Sequence, residues 1–148
     1  MLGLLPRAAL FAILCCTDPD DPERVGHIFP RGYVYGFVTT DEGIPVDSLR
    51  VIAEVFGDSG FVPDCDAAEF TGTTSATAKT DQTGRFSMIV EWGPLPVTGE
   101  ICLGIRTRPS QGSGFLESSR TGVLLAVRPE PPWDSVRVDL VAVPTGGV

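Results

Sequence analysis

The residues able to do chemistry are few. His27 is the only histidine of the chain. A nucleophilic triad would need that imidazole held against a serine inside a cleft. It stands instead beside a run of acidic residues and prolines, so a solvated histidine is expected rather than a base. The four cysteines are Cys15, Cys16, Cys65 and Cys102. None sits in a Cys-x-x-Cys spacing, and a single histidine makes a zinc site hard to build. Asp64, Asp66 and Glu69 form a short acidic cluster whose oxygens are of the type that calcium takes. The bland reading, a solvated acidic loop, is preferred, and no metal or other cofactor is expected. Asp18, Asp20, Asp21 and Glu23 match no calcium-loop spacing and lack its turn glycine. Trp92, Phe115 and Trp133 lie in turn-rich stretches. There they could stack on a sugar ring or a partner protein, or else cover the ends of a core. Carboxylates are plentiful, but no pair stands out as a glycosidase acid and nucleophile.

These residues need a scaffold, and the composition indicates which. The chain has 148 residues with 17 Gly and 13 Pro, a punctuation density suited to short strands joined by turns. Length allows one ordinary domain plus a tail. No stretch reads as a long amphipathic helix. The net charge of −8 argues against nucleic acid, whose phosphates call for Lys and Arg, and against electrostatic docking on anionic lipid.

Alternation of period two recurs along the chain. It predicts strands over Tyr33–Thr40, Leu49–Phe56, Thr73–Thr80, Arg85–Glu91, Glu100–Thr107, Thr121–Arg128 and Ser135–Val143. In the second, Leu49, Val51, Ala53 and Val55 take one face, Arg50 and Glu54 the other. In the fourth, Phe86, Met88 and Val90 point inward. In the fifth, Ile101, Leu103 and Ile105 do so, which turns Cys102 to the opposite side. About seven strands in about 110 residues is the count of an immunoglobulin-like β-sandwich. The fold class is therefore all-β.

Two short motifs sharpen this. Gly43-Ile44-Pro45-Val46 follows the first strand, and Asp81-Gln82-Thr83-Gly84-Arg85-Phe86 opens the fourth. In this order they resemble the carboxypeptidase regulatory-like domain, a transthyretin-like sandwich, over about Arg31 to Pro144. The resemblance implies that the Asp-x-x-Gly-x-Phe segment is a tight hairpin between adjacent strands. Asp81 would bond the backbone two residues on, Gly84 would supply φ > 0, and Phe86 would be the first inward side chain. It also implies that Gly43 to Val46 forms the loop leading into the second strand. The chain departs from the family pattern at Phe61–Thr73, a longer loop that carries Cys65.

The first residues, MLGLLPRAALFAILCC, combine one charge with an apolar run far too short to span a bilayer. They resemble a bacterial lipoprotein signal, in which the apolar stretch stops at a cysteine that becomes lipidated. Cys16, preceded by Ile13 and Cys15, is the preferred residue, and Cys15 is the alternative. The expected organisation is a signal over 1–15 and an acidic, proline-rich tether over 16–30. The sandwich follows over 31–144, and a short tail over 145–148. In an exported protein the two remaining cysteines, Cys65 and Cys102, are expected to pair, stapling the Phe61–Thr73 loop onto the outside of the sheet.

Among sandwich enzymes, intradiol dioxygenases hold iron with two Tyr and two His, and the transthyretin-like hydrolases of the urate pathway need more than one His. One histidine satisfies neither. The expectation is a non-catalytic cell-envelope lipoprotein, a structural or protein-interaction module held to a membrane by its N-terminal lipid. The alternative is a carbohydrate- or small-ligand-binding module using Trp92, Phe115 and Trp133, and the remote alternative a hydrolase. The expected partners are an envelope protein or a glycan.

Overall fold

The structure is a computed structural model that describes residues 29–56, 65, 73–93 and 99–146. The strand segments are β1 (Arg31–Thr39), β2 (Arg50–Val55), β3 (Thr73–Lys79), β4 (Arg85–Glu91) and β5 (Gly99–Arg108). They continue with β6 (Phe115–Leu116), β7 (Ser119–Val127), β8 (Ser135–Arg137), β9 (Leu140–Val141) and β10 (Val143–Pro144). One sheet has the order β4-β1-β8, with β9 also on β1; the other has the order β3-β2-β5-β7; β6 and β10 pair by themselves. The all-β sandwich is thus observed. Counting β8, β9 and β10 as one interrupted strand and setting β6 aside leaves the expected number.

The alternation explains the two-sheet packing. Val34 and Val38 of β1 and Phe86, Met88 and Val90 of β4 share one core with Val51, Ala53 and Val55 of β2 and Ile101, Leu103 and Ile105 of β5. Val138, Leu140 and Ala142 complete this core. The long strands β1, β2, β4, β5 and β7 each contribute one parity to it, as the pleat requires.

Four expectations need correction. First, Asp81 to Phe86 does not close a hairpin: β3 and β4, which it joins, belong to different sheets. The turn itself is as expected. Asp81 Oδ1 accepts the Thr83 N–H (2.8 Å), the Thr83 hydroxyl (2.7 Å) and the Arg85 N–H (3.0 Å). Gly84 has φ 75°, and a Cβ there would lie 2.5 Å from the Val38 carbonyl oxygen. The turn therefore crosses the sandwich instead of extending one ladder. The hydrogen bonds from Thr83 and Arg85 hold the Asp81 carboxyl below its ordinary pKa, the Thr83 hydroxyl contributing most.

Second, Ser135–Val143 is broken at Asp139. The Asp139 carboxylate accepts the Phe37 N–H (3.1 Å), a bond that a strand carbonyl would otherwise supply, so the ladder on β1 stops after Arg137 and resumes at Leu140. The inward parity of Val138, Leu140 and Ala142 survives the break. Third, the Arg108–Ser119 segment is not wholly loop: Phe115 and Leu116 pair with Pro144 and Val143. Fourth, β2 is covered on both faces. Ile52, Glu54 and Phe56 are buried along with the core-facing residues.

The cover on that outer face has two parts. Cys65 and Cys102 form the expected disulfide, and with Phe56 they make a small buried cluster separate from the main core. Glu54, with 5% exposure, is paired with Arg106, which also reaches Glu117 at 3.2 Å. Burial pulls the Arg106 pKa down, and its bonds to Glu117 and Glu54 outweigh that and leave it raised. Gly43 to Val46 forms the loop that leads into β2, as the resemblance implies, and it folds back on the end of β1. Thr40 N–H donates to the Ile44 carbonyl (2.8 Å) and Val46 N–H to the Val38 carbonyl (3.0 Å).

Candidate functional site

The three aromatic residues singled out in the sequence do not come together. Trp92 follows β4, is half-buried and packs against the main core. Its N–H donates to the Pro30 carbonyl (3.0 Å), which fixes it at the end of the sandwich where β1 begins. Phe115 also packs against the core instead of standing at a loop tip. Its β6 pairs with β10, just past the point where Val141 pairs with Thr39, so it sits at the other end of β1. It lines an open hollow of about 490 Å³ bounded by the loop from Arg108 to Glu117 and by Thr145. Of the three, Trp133 is the one on a sheet face. Its ring centroid lies 5.6 Å from that of Tyr33, and the Arg31 guanidinium lies 5.5 Å from it. The indole Nε1–H is buried without a hydrogen-bond partner among the described residues.

Trp133 belongs to a larger aromatic surface that the sequence reading passed over. Along β1 the buried positions are Gly32, Val34, Gly36 and Val38; the intervening Tyr33, Tyr35 and Phe37 form a row on the outside of the β4-β1-β8 sheet. The glycines explain why the aromatics face out. A Cβ on Gly36 would lie 1.9 Å from the Val138 carbonyl oxygen, and one on Gly32 would lie 2.9 Å from both the Ala126 carbonyl oxygen and the Leu125 methyls. Nothing larger than glycine fits the inner side there. The signal that could have found this row is the aromatic–small alternation of Tyr33-Val34-Tyr35-Gly36-Phe37-Val38.

The row is set among paired charges. Arg31 Nε lies 2.7 Å from Glu91, Arg128 pairs with Asp134, and Arg137 lies 2.9 Å from Asp139 while its guanidinium covers the Phe37 ring at 5.3 Å. Bonds to Asp139, that carboxylate's charge and a smaller effect of Tyr35 raise the Arg137 pKa. On a chain of net charge −8, this face is locally balanced. Tyr35, 36% exposed, is its most open aromatic, opposite Ser87 on one side and Arg137 on the other. Next to it, a shallow groove of about 450 Å³ runs between β4 and β3, lined by Tyr33, Ala76, Thr77, Ser87, Met88 and Ile89.

Cys15, Cys16, His27, Asp64, Asp66 and Glu69 lie outside the described residues. Among the described residues, no three His, Cys, Asp or Glu side chains gather where a metal ion could be held.

No protein-family model and no curated protein matches this chain. Distantly similar solved structures exist. Chlorocatechol 1,2-dioxygenase from Pseudomonas putida is 12% identical with a TM-score of 0.48, the match covering 80% of this chain and 62% of that one. (S)-allantoin synthase is 12% identical at a TM-score of 0.38, covering 81% and 45%. A minor pilin of Streptococcus agalactiae is 15% identical at 0.36, covering 81% and 48%. The chain thus spans less than two thirds of the length of these structures.

Proposed function

We propose that the chain is a non-catalytic interaction module of the cell envelope, of the carboxypeptidase regulatory-like type. It is exported, anchored by lipid on Cys16 and held clear of the membrane by its acidic tether. Its working surface is the outer face of the β4-β1-β8 sheet. The observation that carries this reading is the solvent-facing row Tyr33, Tyr35 and Phe37 with Trp133 beside it. A core does not require these rings, because the inner positions of β1 are filled by valine and closed by glycine. Tyr, Trp and Arg are the residues over-represented where proteins bind one another, and here Arg31 and Arg137 stack on two of the rings.

The reading replaces Trp92 and Phe115 as contact residues with Tyr33 and Tyr35. A direct test compares the size of the native complex extracted from host membranes with mild detergent. Tyr33→Ser/Tyr35→Ser should release the chain to its monomer size. Leu124→Ser, which alters an exposed residue of β7 on the other sheet, should leave the complex intact. A complex unaffected by the tyrosine changes would sink the reading. The anchor is tested separately by intact mass: the expected species begins at Cys16 and carries diacylglyceryl and acyl groups, and a species retaining Met1 would contradict it.

A further inference from the structure

We infer that Ser87 and Ile89, on the free edge of β4, accept an extended polypeptide segment of the partner as an added strand. The inference rests on the interaction reading above and names the part of the partner that engages the face.

Among the described residues, β4 is an edge strand that pairs only with β1. In an antiparallel ladder, successive residues turn their N–H and C=O groups alternately toward the neighbour and away from it. Two bonds at the ends of this ladder fix the phase. Val38 N–H donates to the Gly84 carbonyl (2.8 Å), and Trp92 N–H donates to the Pro30 carbonyl (3.0 Å). With Arg31 opposite Glu91 and Phe37 opposite Arg85, Phe86, Met88 and Val90 must turn their polar groups toward β1. Arg85, Ser87, Ile89 and Glu91 turn theirs away. The other side of β1 agrees with this phase. Tyr33 N–H donates to the Asp134 carbonyl (2.9 Å), and the Tyr35 carbonyl accepts the Val138 N–H (2.8 Å), so the odd residues of β1 serve β8.

Among the described residues, this edge is closed at both ends and open in the middle. At one end, Asp81 N–H donates to the Arg85 carbonyl (2.9 Å) and Arg85 N–H donates to the Asp81 carboxylate (3.0 Å). At the other, the Ser75 hydroxyl donates to the Glu91 carbonyl (2.9 Å). Between them the N–H and C=O groups of Ser87 and Ile89 have no partner among the described residues. They lie on the groove bounded by Tyr33, Met88, Ala76 and Thr77, so the opening is a slot between the edge strands of the two sheets. Ile89 is 42% exposed at its rim.

The spacing of these groups specifies the occupant. Donor and acceptor repeat every second residue, about 7 Å along the strand, which is the repeat of another strand. Sugars and nucleotides offer no matching series. The remaining edges carry the devices that discourage strand addition. The β2–β3 pairing shifts register between Ala53 and Glu54, and β3 ends in Lys79. The β5–β7 pairing shifts between Leu103 and Ile105. β8 has only three residues. The β1–β4 register runs unbroken from Arg31 to Phe37, so β4 offers the regular template. An added strand would place alternate side chains on the outer face, beside Ile89 and Tyr33, where apolar residues suit it.

The test uses the whole chain and a phage-displayed library of random peptides as probe. Ile89→Pro removes an N–H that points to the free edge and so takes nothing from the β1 ladder. Thr77→Arg, at an exposed position, fills the groove from the β3 side and serves if the proline variant does not fold. Selected peptides should bind each variant about tenfold or more weakly than wild type, the loss of one or two main-chain bonds. They should also slow hydrogen exchange at the Ser87 and Ile89 amides. The inference is overturned if no peptide is selected or if the variants bind peptides unchanged. It is equally overturned if protection centres on Tyr35 without reaching β4, or if the edge serves only a wild-type dimer that Ile89→Pro dissolves. In each of those cases the Tyr33/Tyr35 dependence of the native complex still decides the interaction reading independently.

Discussion

The Cys65–Cys102 disulfide permits a quantitative prediction, because its contribution should be separable from that of the core. The bridge closes a segment with a sequence separation of 37 residues. The chain-entropy relation for a loop of that length gives about −13 cal/mol/K of lost unfolded-state entropy, or about 4 kcal/mol at 25 °C. For a domain of this size that corresponds to a melting-point loss of about 10–20 °C. The main core contains neither sulfur: Cys65, Cys102 and Phe56 form their own cluster on the outer face of the β3-β2-β5-β7 sheet. The Cys65→Ala/Cys102→Ala variant should therefore keep the wild-type circular dichroism spectrum at 20 °C and melt at the lower temperature. Wild type in reductant should match it, and reductant should not affect the variant. The assay is thermal denaturation at constant pH, with and without reductant. A shift under about 2 °C would refute the entropic account. Loss of the folded spectrum at 20 °C would refute the independence of the two clusters.

Other substitutions probe the core, the buried charges and the turn. Phe86→Ala should cost about 3–5 kcal/mol in urea denaturation, because the ring is 2% exposed in the main core; a cost below about 1 kcal/mol would place the ring outside it. Arg106→Leu should destabilise by about 3–5 kcal/mol by stranding the buried Glu54 carboxylate. Glu54→Leu/Arg106→Leu should recover most of that loss, and Glu117→Ala should stay within about 1 kcal/mol. Asp81→Asn should destabilise the fold at neutral pH. Because the folded-state pKa of Asp81 lies below its ordinary 3.8, its contribution is fully present above that value and fades as pH falls through the depressed one. The two proteins should then converge in acid, and a gap that persists there would show that the carboxylate charge is not what the turn uses.

Much of the fold is legible in the sequence because one parity of each long strand is apolar and turns to the main core. Phe86, Met88 and Val90, or Ile101, Leu103 and Ile105, declare their face by parity alone, and the same parity put Cys102 outside, where the disulfide is found. What escaped were features set by contacts distant in sequence. Asp139 breaks its strand because its carboxylate accepts the N–H of Phe37, which lies 102 residues earlier. Asp81 to Gly84 has the residues of a tight turn, but local chemistry does not say whether the strands it joins share a sheet. The burial of Phe56 and Glu54 on the outer face of β2 depends on Cys65 and Arg106, which arrive from elsewhere in the chain. The candidate surface was missed for a related reason. In β1 Tyr33, Tyr35 and Phe37 alternate with Val34, Gly36 and Val38, so neither parity is polar and alternation alone assigns no face; the crowding at Gly32 and Gly36 shows which side has no room. Trp92 and Phe115, conspicuous in turn-rich segments, are held against the core by β4 and β6.

The central claim is that the outer face of the β4-β1-β8 sheet is the surface this protein works through. It is tested most directly by replacing Tyr35 with a photo-reactive amino acid and irradiating living host cells. Leu124, 50% exposed on the opposite sheet, is the matched control. Discrete cross-linked adducts at position 35, absent at position 124, are the predicted result. No adduct at position 35, or the same adducts from both faces, would contradict the account.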